Sequence, residues 1–109
     1  MGVRLFDPGE FEPGRVKWDN LDDVDPSLPL HEQDSLVGCE DVLAVEYPND
    51  VLLDVSFLAR SRPEAFFCVS VMPRGSGGWK PVIERKCHSF GELTAIVREL
   101  APVARDWKK

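Results

Sequence analysis

The sequence predicts an α+β fold, with an antiparallel β-sheet of about four to five strands packed against a C-terminal amphipathic helix. Strand-forming residues recur between residues 41 and 88, and the short connections between them favour an antiparallel meander. An amphipathic helical pattern follows over residues 89–107. A lone amphipathic helix must cover an apolar surface, and the sheet is the available partner. The length of 109 residues is that of a single domain, 1–109.

Residues 1–40 read as an irregular, turn-rich acidic segment. Pro-Gly dipeptides at 8–9 and 13–14 each fit the centre of a type II turn, in which the glycine takes a positive φ. Val16 and Trp18 alternate with charged neighbours, which predicts a short strand there. The prolines within residues 19–35 exclude a regular helix through that stretch.

The β-meander is predicted over residues 41–88, with strands at 41–47, 51–60, 66–72 and 81–88. In the second of these strands the odd positions are apolar and the even positions are mixed in character. One of its faces is therefore expected to point into the core. The third strand is apolar on both faces, which is typical of a central strand.

The helix is predicted to begin after Ser89, because Ser89 and Glu92 have the spacing of a capping box. Apolar residues then recur along one helical stripe. Pro102 lacks an N–H and crowds the preceding turn, so we expect the regular helix to kink or end near Leu100.

Charge is distributed unevenly along a chain whose formal net charge is −6. Residues 1–50 hold 13 acidic and 3 basic side chains, whereas residues 51–109 hold 6 acidic and 10 basic ones. Phosphate recognition needs clustered Lys and Arg, so this composition argues against a nucleic-acid partner. It favours a cationic protein partner, whose approach the negative charge would accelerate.

Neither a membrane nor an oxidising compartment is expected. No apolar run approaches the roughly 20 residues that a membrane helix requires, and polar and turn residues at 7–9 interrupt the start of the chain. The three cysteines, Cys39, Cys68 and Cys87, form no CxxC pair and are expected to be free thiols. These features predict a cytoplasmic protein.

The motifs that suggest chemistry lack the required context, so no catalytic residue, cofactor or metal is predicted. The glycine-rich stretch 74–80 is followed by a strand rather than the helix of a phosphate-binding loop. Cys87 and His88 are adjacent in a strand and point to opposite faces, which prevents them from sharing one zinc ion. An alternative is a small metal-dependent nuclease-like enzyme built on Asp54, Glu84 and Lys86.

A small acidic chain with an antiparallel sheet and a final amphipathic helix resembles the small bacterial immunity proteins that neutralise a cognate toxin, including those of contact-dependent growth inhibition systems. The resemblance rests on size, acidity and the strand-strand-strand-helix plan from Val51 to Leu100. It implies a non-enzymatic inhibitor whose acidic surface covers the basic active site of a protein toxin, often a nuclease.

The candidate partner-binding residues combine carboxylates from the acidic segment with one aromatic anchor, a common composition for an interface. They are Trp18, Asp19, Asp22, Asp23, Asp25, Glu40 and Asp41. A third class of function, a structural or assembly subunit that associates through a sheet edge, also fits the predicted fold.

Overall fold

The computed structural model describes residues 2–33, 36, 40–58 and 65–108, which contain six antiparallel strands and one α-helix. The predicted α+β class is confirmed. Cys39 and the connection expected at 61–64 lie outside the described residues. The elements are β1 Arg15–Asp19, β2 Asp41–Tyr47, β3 Val51–Leu58, β4 Phe66–Gly75, β5 Gly78–Trp79, β6 Ile83–Cys87 and α1 Phe90–Arg105.

The sheet is a meander with strand order β1-β2-β3-β4, to which β6 adds beside β4. The short strand β5 pairs only with the last residues of β4. β3 and β4 pair in unbroken register from Val51 opposite Pro73 to Leu58 opposite Phe66. This long central pairing makes β3 and β4 the rigid middle of the sheet.

The two faces of the sheet differ because side chains alternate along each strand. The odd-numbered residues of β3 and β4 point towards α1, and the rings of Phe57, Phe67 and Phe90 contact one another there. The continuous core lies on this side. Ala44 and Leu52 are also buried but lie outside the core cluster, since they belong to the opposite face.

The start of α1 is capped as the spacing predicts. The Ser89 hydroxyl accepts a hydrogen bond from the Glu92 N–H at 3.1 Å, and the Glu92 carboxylate accepts one from the His88 N–H at 3.1 Å. Of the two outcomes expected at Pro102, an end of the helix near Leu100 is wrong, and a kink there stays a prediction. Because buried residues in this last stretch anchor it to the core, α1 continues through Pro102 to Arg105.

The expectation of two type II turns in the N-terminal segment is also wrong. Among the described glycines only Gly78 has a positive φ, so neither Pro-Gly dipeptide forms that turn. Residues Pro8–Phe11 instead form a 3₁₀ turn capped by Asp7. Gly14 is required for a different reason: a Cβ there would lie 2.7 Å from the Phe11 carbonyl oxygen.

The N-terminal segment packs onto the core rather than extending from it. β1 pairs with β2 as the outer strand of the sheet, which confirms the strand predicted around Val16 and Trp18. Val3 forms an isolated bridge with Val24, and Phe6 packs against Phe11. Within the described part of the chain, none of the helices has the length and apolar character that crossing a membrane requires.

Candidate binding surface

Two short runs of carboxylates, one at and beyond the end of β1 and one at the start of β2, make up what we call the acidic corner: Asp19, Asp22, Asp23, Glu40 and Asp41. The two strands are antiparallel, so the last residue of β1 lies beside the first residues of β2. Asn20 joins the strands, with its N–H donating to the Val42 carbonyl at 2.6 Å and its side-chain amide donating to the Asp41 carbonyl at 3.2 Å. Asp19 and Asp41, the two members of the corner that belong to strands, are therefore held in place by the sheet.

Asp19 is the half-buried member of this corner. Its carboxylate accepts a hydrogen bond from the Leu21 N–H at 2.8 Å. Burial raises the pKa of Asp19, and the negative charge of Asp22 raises it further, while the Leu21 N–H opposes the shift. The exposed Asp22, Asp23, Glu40 and Asp41 form no ion pair with a described residue. Their charge is thus available to an approaching partner.

Asp25, the remaining acidic candidate, is engaged locally. Its carboxylate accepts hydrogen bonds from the Ser27 hydroxyl at 2.6 Å and from the Ser27 N–H at 3.0 Å. These bonds lower the pKa of Asp25. Its own N–H donates to the side chain of buried Gln33 at 3.1 Å. The residue therefore has a clear role in shaping the turn that follows Val24.

The face of the sheet opposite α1, which we call the open face, begins next to the acidic corner. Strand register places one row of residues across it, namely Trp18, Ala44, Asp54, Ser70 and Glu84. Trp18, on the outer strand, is 40% exposed. Asp41, which pairs with Ser56, lies on the same face as Trp18, whereas Asp19 pairs with the core residue Leu43 and belongs to the opposite face.

Apolar side chains lie on both sides of that row on the open face. Leu52 pairs with Met72 across β3 and β4, and Leu58 pairs with Phe66 at the far end. Leu52 is buried, and the other three are half-buried. α1 covers the other face, so in the part of the chain that the structure describes no helix lies over these side chains.

Asp54 lies at the middle of the open face. It is not among the partner-binding residues predicted from the sequence. Only 8% of it is exposed, and it accepts a hydrogen bond from the Ser56 hydroxyl at 3.2 Å. No described Lys or Arg forms an ion pair with it. Burial raises its pKa, Ser56 lowers it, and the negative charge of Asp41 raises it. The sequence signal was a carboxylate on the mixed face of an otherwise apolar strand.

Two basic side chains of β1 share one acidic neighbour on β2. Arg15 and Lys17 lie 3.3 and 3.8 Å from the same carboxylate oxygen of Glu46 on β2. The positive charge of Arg4 acts on the acidic corner, where it opposes the rise in the pKa of Asp19. No described Lys or Arg forms an ion pair with a carboxylate of the acidic corner or with Asp54.

The nuclease-like alternative placed Asp54, Glu84 and Lys86 in one centre. All three are on the open face, but β4 separates Asp54 from Glu84, a backbone separation of roughly 10 Å at the usual strand spacing. The ammonium of Lys86 lies 5.0 Å from the centre of the Phe66 ring. Among the described residues, no three His, Cys, Asp or Glu side chains are grouped as metal ligands. These contacts do not form a paired-carboxylate centre.

A small cleft lies on the other side of the molecule, between the N-terminal segment and α1. It has a volume of about 90 Å³, and the ion pair of Arg98 with Glu10, at 2.9 Å, lies along it. Pockets for small ligands usually measure about 300 to 1,000 Å³. The cleft is too small to define a substrate site.

Three comparisons with known proteins found no relative of this chain. No protein-family model matches the chain, and no curated protein or solved structure matches it. The class that the fold and surface define is a two-layer α+β protein with an acidic corner beside an open sheet face.

Proposed function

We propose that this chain is a non-enzymatic binding protein that inhibits a cationic protein, in the manner of a bacterial immunity protein that blocks its cognate toxin. The observation that carries the proposal is the acidic corner. Its exposed carboxylates are without ion-pair partners among the described residues, and one of them, Asp41, lies on the same sheet face as the exposed Trp18.

Such a surface suits a basic partner for two physical reasons. Unpaired negative charge steers a cationic protein towards the correct face and raises the association rate. An aromatic side chain at the edge of the charge supplies apolar contact area, which contributes most of the affinity at an interface. Trp18 fills that second role in the proposal.

The chemistry of the cysteines supports a reducing compartment. Cys68 and Cys87 are both free, and they point to opposite faces of the sheet. Disulfides are rare where thiols are kept reduced, as in the cytoplasm. The proposal therefore places the protein in the cytoplasm, where an immunity protein meets an incoming toxin.

The decisive experiment pairs this chain with the protein encoded immediately upstream in its genome. If that protein ends in a toxic domain, its expression should stop growth, and co-expression of this chain should restore growth. The purified pair should form a complex with a dissociation constant in about the nanomolar range. A toxic domain that neither binds this chain nor loses toxicity beside it would overturn the proposal.

The contribution of the acidic corner is measured separately by association kinetics. Neutralising Asp22→Asn and Asp23→Asn together should slow association with the toxin domain by about threefold to tenfold at low salt and reduce its salt dependence. The matched control, Glu99→Gln with Asp106→Asn, changes the net charge equally at the far side of the molecule. Equal rates for the two double variants would remove the acidic corner from the proposal.

A further inference from the structure

Asp54 carries an inference that deepens the proposed function and rests on it. A carboxylate this deeply buried normally faces a Lys or Arg, because removing an unpaired charge from water is costly. Among the described residues, the hydroxyl of Ser56 at 3.2 Å is the side-chain partner of Asp54, and the charge that shifts its pKa is the negative one of Asp41. Within the described part of the chain, Asp54 is therefore a buried carboxylate that forms no ion pair with a basic side chain.

The surroundings of Asp54 indicate what kind of side chain could pair with its carboxylate. Its cross-strand neighbours, Ala44 and Ser70, have small side chains. The sheet surface beside Asp54 is therefore less built up than at Trp18 and Glu84, the two ends of the same row. Leu52 and Met72 form an apolar pair one step along the strands. A long side chain with an apolar stem and a positive tip matches this arrangement, since the stem packs on carbon while the tip meets the carboxylate.

We propose that Asp54 receives an Arg or Lys side chain of the cationic partner at the centre of the open face. Arg fits best, because its planar guanidinium pairs with a carboxylate through two hydrogen bonds and tolerates burial better than an ammonium. The acidic corner then steers the partner, and Asp54 fixes its register. Breaking a charged pair that is buried at an interface mainly raises the dissociation rate.

The test uses a five-residue peptide of alternating arginine and glycine as the probe. Titrated into the isotope-labelled protein, it should shift the amide resonances of Asp54, Ser56 and Ser70 and the indole N–H of Trp18. Asp54→Asn should weaken peptide binding by at least about tenfold. Glu84→Gln is the matched control, because it removes the same charge from the same face two strands away, and should weaken binding less than about threefold.

Two outcomes would overturn the inference. One is equal binding of the peptide by Asp54→Asn and Glu84→Gln, and the other is a set of shifts confined to the acidic corner. In either case the rescue of growth by the chain would still stand, so failure of this inference is distinguishable from failure of the proposed function. Absence of any peptide binding would also reject the receptor role of Asp54. A folded Asp54→Asn variant, verified by its amide spectrum, is required for each comparison.

Discussion

The side-chain amide of Asn49, in the turn between β2 and β3, donates to the carbonyl of Ala104 at the end of α1 over 3.1 Å. The same amide lies 3.2 Å from the Arg105 carbonyl and 3.1 Å from the Trp107 carbonyl. The last carbonyls of a helix have no partner within the helix, so each needs one from outside. One turn residue therefore fastens the end of α1 to the sheet.

Replacing Asn49 tests this fastening. Asn49→Ala removes the side-chain donor that these three exposed or part-buried carbonyls share and should lower the free energy of unfolding by about 1 to 3 kcal/mol. Asn49→Asp should cost more, because a carboxylate would face the same three carbonyl oxygens. Urea unfolding followed by circular dichroism measures both, with Ser76→Ala in the exposed turn after β4 as the control. An Asn49→Asp variant as stable as the wild type would contradict the role.

The sequence predicted the sheet well because its signals are local. Residues 41–47 were expected to form β2, and the strand observed is Asp41–Tyr47. Alternation identified the mixed face of β3, and turn residues separated the strands. These features depend only on neighbours along the chain.

Contacts between distant segments were not predictable in the same way. The continuation of α1 through Pro102 depends on packing against the core, and the close approach at Gly14 depends on Phe11 and Val45 meeting there. Asp54 was considered for catalysis rather than binding, since nothing local indicates that its neighbours across the sheet are Ala44 and Ser70. The register between strands depends on how the chain packs in three dimensions, so the local sequence does not determine it.

A second prediction concerns the attachment of the N-terminal segment to α1. The guanidinium of Arg98 pairs with Glu10 at 2.9 Å and lies 5.8 Å from the centre of the Phe6 ring. A double-mutant cycle with Glu10→Gln and Arg98→Met should give a small favourable coupling free energy, because solvent screens an exposed pair. The ring contact should add a cost to Arg98→Met alone.

The same pair has a defined pH dependence. The hydrogen bond from Arg98 is the main cause that lowers the pKa of Glu10. Stability from this pair is therefore present above the ordinary pKa and is lost as the pH falls through the lowered one. The coupling should shrink on acidification in urea titrations, and a coupling that grows towards low pH would refute the assignment.

A third prediction concerns thiol reactivity. Cys87 is fully buried beneath α1, and burial raises its pKa to about 11 from an ordinary value of 9.0. This reduces its thiolate fraction roughly a hundredfold near neutral pH. Cys68 lies half-buried on the open face. Iodoacetamide should therefore label Cys68 before Cys87 in the folded protein, as read by peptide mass spectrometry.

Labelling in urea provides the control for that experiment. Once the chain is unfolded, the two thiols lose their different surroundings and should react at similar rates. Protection of Cys68 by a bound toxin domain would further mark the open face as covered. Equal labelling of both cysteines in the folded state would show that α1 does not shield Cys87.

The last prediction separates the effect of Asp54 on folding stability from its effect on partner binding. Burial raises the pKa of Asp54, so the folded state holds this proton more tightly than the unfolded chain does. The associated stability is complete below the ordinary pKa and is lost as the pH rises through the raised one. Asp54→Asn removes that loss while keeping an oxygen for the Ser56 hydroxyl. The variant should therefore be more stable than the wild type at neutral pH, and its advantage should shrink on acidification.

Urea unfolding between about pH 3 and pH 8, with Glu84→Gln as the control, measures this difference. A less stable Asp54→Asn protein at neutral pH would show that the carboxylate serves the fold. A more stable one that binds its partner less well would show that the fold keeps a destabilising charge because the interface needs it.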